Sequence, residues 1–158
     1  MNDILEVVCC FIGHRKINET EIFKTKLKNT IEKLIVEENI SIFLFGSKSR
    51  FNDLCYEIVT QIKEKYPHIK RVYVRAEYAS IREDYERYLL SLYEDTYYPE
   101  NIVGAGRAVY VKRNCEMIKN SNFCVFYYNE ENAPNTRRSG TKIAYDYALR
   151  LKKKIIMV

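Results

Sequence analysis

The chain has 158 residues, of which 47% are hydrophobic and 30% charged, a composition typical of a globular domain. Its 26 Lys and Arg residues outnumber 21 Asp and Glu residues and give a formal net charge of +5, which favours anionic partners. The cations are interspersed with acids, so a dedicated nucleic-acid binder is disfavoured. Asp3 and Glu6 interrupt the N-terminal segment and no long apolar run follows, so we expect neither a signal peptide nor a membrane span.

The cysteines and histidines suggest structural roles. Five cysteines form no C-x-x-C pair, and Cys9, Cys10 and Cys124 lie in apolar runs, where a thiol usually acts as a small buried hydrophobe. This pattern fits a reducing compartment and predicts a cytoplasmic protein. The two histidines are far apart in the sequence, so we expect no metal site and no cofactor.

Alternating strand and helix patterns run along the chain. A strand at 7–12 precedes a helix that starts at 18–21, and a strand at 40–45 precedes a helix capped by Asn52-Asp53. Further elements are predicted as a strand at 72–74, helices at 81–93 and 108–118, a strand at 123–128, a helix at 141–151 and a strand at 154–158. Such alternation predicts an α/β fold with a mostly parallel five-stranded sheet and helices on both faces.

Three of the five glycines follow predicted strands. Gly13 and Gly46 end the first two strands, and Gly140 precedes the helix after the fourth. The carboxyl ends of parallel strands form the edge at which open α/β sheets bind ligands, and glycine there lets backbone amides approach a phosphate. The alternative is that each is an ordinary turn glycine with positive φ. Because all three have Ser, Thr, Arg or Lys nearby, we favour a phosphate site.

Two common nucleotide motifs are absent from the sequence. The P-loop spacing G-x-x-x-x-G-K-[ST] does not occur, and Gly104-Ala105-Gly106 lacks the third glycine of G-x-G-x-x-G and follows no predicted strand. A nicotinamide-dependent dehydrogenase is therefore disfavoured.

Several short motifs together resemble the SLOG superfamily, the Rossmann-like group that includes the LOG phosphoribohydrolases and the DprA proteins. The likeness is closest to small, single-domain bacterial proteins of the YpsA-like kind. The motifs are Phe11-Ile12-Gly13-His14-Arg15, Phe45-Gly46-Ser47 with Phe51-Asn52-Asp53, Tyr66 to Ile69, and Arg113-Asn114 with Met117-Ile118. The resemblance spans nearly the whole chain and implies a single Rossmann-like domain over residues 1–158.

The resemblance also implies a pocket for a nucleotide-derived small molecule. The residues that we expect to bind it are Gly13, His14, Arg15, Gly46, Ser47, Arg113, Ser139, Gly140 and Thr141. Arg15 is the strongest candidate for a phosphate contact, because a guanidinium binds phosphate bidentately, and the alternative is a surface salt bridge. His14 either donates to phosphate, acts as an acid or base, or caps its loop.

One departure from the LOG enzymes bears on catalysis. Their loop reads G-G-x-G-T-x-x-E, and its Glu takes part in cleaving an N-glycosidic bond. Aligning Gly140-Thr141 on that motif places Ala144 where the Glu would be. The catalytic residues are therefore unknown; Asp53 and Glu77 are weak candidates, since each is also readily explained as a helix cap, a solvated residue or an ion-pair partner.

Fourteen tyrosines and no tryptophan make up an unusual aromatic composition. A cluster falls in the irregular region at Tyr78, Tyr85, Tyr88, Tyr97 and Tyr98. These side chains either stack on a base or close a subunit interface, and we favour the interface and hence a homo-oligomer.

Three functions compete on this sequence. The leading hypothesis is a sensor or sequestering module for a nucleotide or nucleotide-derived ligand. The second is a phosphoribohydrolase-like enzyme that cleaves the N-glycosidic bond of a nucleoside monophosphate or a related compound. The third is a nucleic-acid module, whose affinity would fall steeply with salt.

Overall fold

A single parallel sheet connects the parts of the chain that the computed structural model describes, which are residues 5–46, 48–128 and 140–158. The strands within these residues are β1 (Val7–Gly13), β2 (Ile40–Phe45), β3 (Lys70–Val74), β4 (Asp95–Tyr97), β5 (Phe123–Tyr127) and β6 (Lys154–Met157). They are arranged in the order β4-β3-β2-β1-β5-β6, and every neighbouring pair is parallel. This order confirms the predicted α/β class.

Helices occupy the crossovers between the strands. They are α1 (Glu21–Glu38), α2 (Arg50–Lys63), α3 (Glu83–Leu92), α4 (Val109–Lys119) and α5 (Gly140–Arg150), with short 3-10 turns at Glu100–Ile102 and Gly106–Ala108. In the described parts of the chain, none of these helices has the length and apolar character needed to cross a membrane.

The predicted count of five strands is wrong, because β4 adds a sixth. This strand has only three residues, Asp95, Thr96 and Tyr97, and pairs with β3 at the edge of the sheet. A three-residue polar segment has no apolar run or alternation that could identify it, so its strand conformation comes from pairing with β3.

Two hydrophobic clusters cover the two faces of the sheet. Side chains alternate along a strand, so Phe11 and Ile12 of β1 face opposite ways. Phe11 stacks between Phe43 and Phe45, at ring-centroid distances of 5.6 and 5.4 Å, on the face covered by α1 and α2. Ile12 belongs to the other cluster, which α4 and α5 complete with Met117 and other buried side chains. Helices therefore lie on both faces, as predicted.

The strand order reverses beside β1. The chain moves outward from β1 through β2 and β3 to β4, then returns to place β5 on the other side of β1. The last residue of β1, Gly13, is paired with Tyr127, the last residue of β5. In open α/β sheets the crevice at such a reversal, beyond the carboxyl ends of the strands, is where ligands bind.

The start of α2 differs from the prediction. Its N-cap is Ser49, whose hydroxyl accepts a hydrogen bond from the Asn52 backbone N–H at 3.0 Å. Asn52 lies in the first turn with a buried side chain, and its Oδ1 accepts from the Gly46 N–H at 3.4 Å. The predicted cap at Asn52-Asp53 is therefore wrong, because the Ser49 hydroxyl satisfies the free helical N–H and Asn52 instead ties the end of β2 to α2.

The five cysteines are free thiols. Cys9, Cys10 and Cys124 are fully buried in the sheet, which confirms their assignment as core residues. Among the described residues, no three His, Cys, Asp or Glu side chains come together in the way that a metal site requires.

Candidate functional site

A cavity of about 660 Å³ opens at the carboxyl edge of the sheet, between the end of β1, helix α4 and the first turn of α5. We call it the edge cavity. Its volume lies within the range of small-molecule sites. It is lined by Ile12, Gly13, His14, Arg15, Lys48, Arg107, Tyr110, Val111, Arg113, Asn114, Gly140 and Thr141.

The fold brings six of the nine predicted binding residues to this cavity. They come from distant parts of the sequence and are Gly13, His14, Arg15, Arg113, Gly140 and Thr141. Gly46 lies behind the cavity wall, against the Arg113 side chain. Ser47 and Ser139 lie outside the described residues.

The edge cavity is strongly cationic. Four basic side chains line it, those of Arg15, Lys48, Arg107 and Arg113, and no Asp or Glu is among its described lining residues. Arg15, Lys48 and the pair Arg107 and Arg113 are far apart in the sequence, so the concentration of charge arises only on folding. A concave surface that bears one sign of charge focuses its field and attracts anions.

Arg113 is the most deeply buried of these cations, with only 2% of its surface exposed. It projects from α4, and its Nε donates to Asn114 Oδ1 at 3.1 Å while its Nη1 donates to the Val74 carbonyl at 3.5 Å. Its guanidinium carbon lies 5.8 Å from the centre of the Tyr110 ring. Within the described parts of the chain, Arg113 forms no ion pair.

This environment is costly for a cation. Burial lowers the pKa of Arg113, against the attraction of the nearby Tyr73, Tyr110 and Glu77. A guanidinium carries five N–H donors, and a buried charge normally has a carboxylate or another anion beside it. Arg113 borders open space in the edge cavity, so a bound anion would supply the missing partner.

Gly46 makes room for Arg113. A Cβ atom at this position would lie 2.8 Å from the Val74 carbonyl oxygen and 3.0 Å from Arg113 Cδ. Only glycine leaves space for the arginine side chain to cross the end of β2. Gly46 was predicted as a ligand contact; it is not among the lining residues of the edge cavity, and it packs against Arg113, which is.

The positive-φ explanation of these glycines is wrong. Gly13, Gly46 and Gly140 all lie outside the left-handed region, whereas Gly104 and Gly106 have φ of 76° and 62°. Gly13 is instead required by packing, since a Cβ there would lie 2.6 Å from Cγ of the buried Phe51 ring. This contact seats the start of α2 against the end of β1.

His14 and Arg15 continue β1 past the edge of the sheet. The His14 N–H donates to the Tyr127 carbonyl at 3.3 Å, and its half-buried ring lies 5.6 Å from the ring of Tyr128. Arg15 is exposed, and its carbonyl accepts from the Arg50 N–H at 3.0 Å, which fixes the loop. Among the described residues, the Arg15 guanidinium forms no ion pair, so the proposed salt bridge is not found there.

Helix α5 begins at the cavity wall with Gly140 and Thr141. The first N–H groups of a helix have no partner within the helix, and the helix dipole gives this end a partial positive charge. Thr141 is buried, whereas Gly140 is exposed with open space around it. The start of α5 therefore brings the positive end of a helix dipole to the cavity wall, beside the cationic side chains.

A second cavity of about 560 Å³ adjoins the first, and we call it the tyrosine cavity. No cavity was predicted here, although Tyr78 and Tyr85 of its lining belong to the tyrosine cluster for which base stacking was one of two alternatives. It is lined by Lys48, Tyr73, Arg75, Ala76, Glu77, Tyr78, Ser80, Ile81, Arg82, Tyr85, Tyr110 and Arg113.

Three polar side chains meet at the border of the two cavities. The Tyr110 hydroxyl donates a short hydrogen bond to the Glu77 carboxylate, and Lys48 Nζ lies 3.0 Å from Glu77 Oε1. The hydrogen bond from Tyr110, followed by that from Lys48, lowers the pKa of Glu77, so this carboxylate stays ionised at neutral pH. Lys48 and Tyr110 were missed in the sequence; the position of Lys48 two residues after Gly46 was the available signal.

The other catalytic candidate, Asp53, and the aligned position Ala144 do not line the edge cavity. Asp53 is exposed in the first turn of α2 and lines neither cavity, and burial raises the pKa of its carboxyl. Ala144 is 1% exposed and packs in the second hydrophobic cluster with Ile12 and Phe126. The residue that the motif alignment places at the Glu of the LOG enzymes therefore faces the core. Glu77 is the one candidate that borders a cavity.

Comparison with known proteins adds no family assignment. No family model matches the chain, and no curated protein matches it. The similarity to SLOG proteins therefore rests on the short sequence motifs alone.

Proposed function

We propose that the protein is a SLOG-like module that binds a nucleotide or a nucleotide-derived ligand and holds its phosphate in the edge cavity. The observation that carries this proposal is Arg113, a cation with 2% exposure and no ion pair among the described residues, beside an open cavity. A phosphate oxygen beside its guanidinium would offset the cost of burying the charge.

The donors around the cavity suit a phosphate better than a small neutral ligand. Arg15 approaches from the end of β1, Arg113 from α4, and the positive end of a helix dipole from the start of α5. A phosphate has several oxygens that accept hydrogen bonds from different directions, so it can use both guanidinium groups while the helix dipole stabilises its negative charge. The strand reversal at β1 and β5 places this set where Rossmann-like sheets bind nucleotides.

Ala144 favours binding without cleavage. Its side chain is buried in the core, so the LOG position supplies no carboxylate to the ligand. A protein that keeps the cavity but lacks this group is suited to sense or sequester its ligand.

Glu77 supports a second candidate, an enzyme that cleaves an N-glycosidic bond. Its carboxylate borders the tyrosine cavity and is kept ionised by Tyr110 and Lys48. An ionised carboxylate beside the ribose would stabilise the positive charge that develops at the anomeric carbon. The enzyme hypothesis predicts that Glu77→Gln abolishes turnover and leaves ligand binding intact.

A thermal-shift screen followed by mass spectrometry tests the proposal. The panel contains nucleoside monophosphates, NAD, ADP-ribose and cyclic dinucleotides. A ligand at 100 times its Kd should raise the Tm by roughly 5–10 °C for a domain of this size. Arg113→Met should lose this shift. The control Arg150→Met, at the far end of α5, should keep it.

The outcomes separate the two candidates. Recovery of intact ligand supports a sensor or sequestering module, whereas release of a free base identifies an enzyme and directs attention to Glu77. If no compound on the panel raises the Tm, the proposed nucleotide site is wrong.

A further inference from the structure

We propose that the tyrosine cavity is the second half of the same ligand site and holds a nucleobase, so that the ligand lies across Arg113 with its phosphate in the edge cavity. This inference rests on the proposed function and specifies the orientation and chemical class of the ligand. For Tyr85 and its neighbours the sequence left two alternatives, base stacking and a subunit interface, and favoured the interface; this inference takes the first.

The two cavities are adjacent. Lys48, Tyr110 and Arg113 line both of them. A ligand can reach from one cavity to the other past these three side chains, and each cavity has a volume, 560 or 660 Å³, that exceeds what a single phosphate fills. A ligand with two chemically different ends can therefore occupy both.

The charges of the two cavities differ in a way that sets the orientation. Among the described residues, four basic side chains line each cavity, but the edge cavity has no carboxylate whereas the tyrosine cavity also includes Glu77. The tyrosine cavity is therefore the less cationic of the two, and a phosphate should favour the edge cavity. Together with Lys48 and Tyr110, which contact it, Glu77 offers hydrogen bonds to sugar hydroxyls at the border.

Aromatic rings form the walls of the tyrosine cavity. Tyr73 is half-buried and held by Tyr93, with ring centroids 5.3 Å apart. Tyr85 projects from α3, 43% exposed, and its ring stacks with that of Tyr88 at 6.3 Å. A planar base gains more from such walls than a sugar or a phosphate does, because every base has an aromatic face that stacks.

Arg75 adds a second guanidinium to the cavity, beside the tyrosine rings. Its Nη1 donates to the carbonyls of Tyr78 and Ala79 at 3.2 and 3.3 Å, which fixes the loop that follows β3. Its Nε is buried without a hydrogen-bond partner among the described residues, and Arg75 forms no ion pair there. A guanidinium in this position can stack on a base or donate to its ring nitrogen and carbonyl acceptors.

Calorimetric titration of two ligand types tests the inference. AMP, GMP, CMP and UMP carry a base, whereas ribose 5-phosphate has the same sugar and phosphate without one. The wild type should bind at least one nucleotide about tenfold more tightly than ribose 5-phosphate. Tyr85→Ala should remove most of this difference and leave the affinity for ribose 5-phosphate unchanged, while Tyr85→Phe should retain it.

Leu90→Ala is the matched control. Leu90 is on the same helix, is 45% exposed and lines neither cavity, so its loss should preserve the preference for the nucleotide. Equal affinity of the wild type for ribose 5-phosphate and all four nucleotides would overturn the base subsite and leave the phosphate site standing. Equal losses in Tyr85→Ala and Leu90→Ala would also overturn it. Binding of neither ligand type would overturn both proposals.

Discussion

Two arginines lie at opposite ends of β3, and only one of them has a carboxylate partner among the described residues. At the amino end, Arg71 binds Glu94 through Nε at 3.0 Å and Nη2 at 2.8 Å, and its Nη1 donates to Thr60 at 3.0 Å. At the carboxyl end, Arg113 donates to the carbonyl of Val74, the last residue of the strand, and forms no ion pair among the described residues.

The pKa values of the two side chains move in opposite directions. Hydrogen bonding to Glu94 raises the pKa of Arg71, whereas burial lowers that of Arg113. The amino end of the sheet therefore satisfies its buried charge within the fold, while the carboxyl end keeps a buried cation beside open space. We infer that Arg71 serves stability and Arg113 serves binding.

The largest effect on stability should come from breaking the Arg71 pair. Glu94→Leu leaves the largely buried guanidinium without its carboxylate and should lower the free energy of unfolding by about 2–4 kcal/mol, measured by urea denaturation. Glu57→Leu removes an exposed partner of Arg50 and should cost about 1 kcal/mol or less. Equal losses in the two variants would contradict a structural role for the Arg71 pair.

Gly46→Ala should have the next largest effect. The new Cβ meets the Val74 carbonyl and the Arg113 side chain, so we expect a loss of about 1–3 kcal/mol in unfolding free energy. Part of the cost should disappear in the Arg113→Ala background, which a double-mutant cycle measures. Gly140→Ala, where the Cβ meets nothing within 4 Å, should be close to neutral. Strict additivity of Gly46→Ala and Arg113→Ala would show that Arg113 does not depend on this glycine.

Arg113→Met should change stability least among the buried arginine variants. It removes a charge that has no carboxylate partner among the described residues, so unfolding free energy should stay within about 1 kcal/mol of wild type or rise. Arg71→Met leaves the partly buried Glu94 with only Lys63, at 3.6 Å, as a basic partner among the described residues, and should cost more. The comparison between the two arginines fails if both methionine variants are destabilised equally in chemical denaturation.

The smallest effect concerns pH. The pKa of Glu77 is lowered from its usual value of 4.5 in the folded protein. The interactions of its carboxylate with Tyr110 and Lys48 therefore stabilise the fold at a pH above 4.5, and this stabilisation is lost as the pH falls through the lowered pKa. The Tm difference between wild type and Glu77→Gln should be constant from pH 5 to 8 and vanish in more acidic solution. A difference that changes across pH 6–8 would contradict an ionised Glu77.

The sequence predicted the parts of the fold that have strong local patterns. Apolar runs identified β1, β2 and β5, and the rule that ligands bind at carboxyl strand ends brought Gly13, Arg15 and Gly140 into one predicted site. The structure places those three around a single cavity. Strand β4 was missed, because its three polar residues become a strand only by pairing with β3.

The rest of the site depends on contacts between distant residues. The residues next to Arg113 in the sequence do not show that its side chain is buried without a carboxylate partner. Nor does the sequence around Gly46 show that a Cβ atom there would collide with Arg113. The tyrosine cavity was missed for the same reason: the residues after β3 form no regular pattern, and only the fold brings Tyr73, Tyr85 and Tyr110 around one space. The predicted homo-oligomer remains a prediction.

The most direct test of the carboxyl-edge site compares AMP with adenosine, which differ only in the phosphate, by titration calorimetry on wild type and Arg113→Met. The wild type should bind AMP roughly 10- to 150-fold more tightly than adenosine. This ratio corresponds to about 1.5–3 kcal/mol, the free energy expected for a hydrogen bond to a charged group. Arg113→Met should bind the two compounds with nearly equal affinity. If wild type does not distinguish AMP from adenosine, or Arg113→Met keeps the full preference, the buried arginine is not a phosphate site.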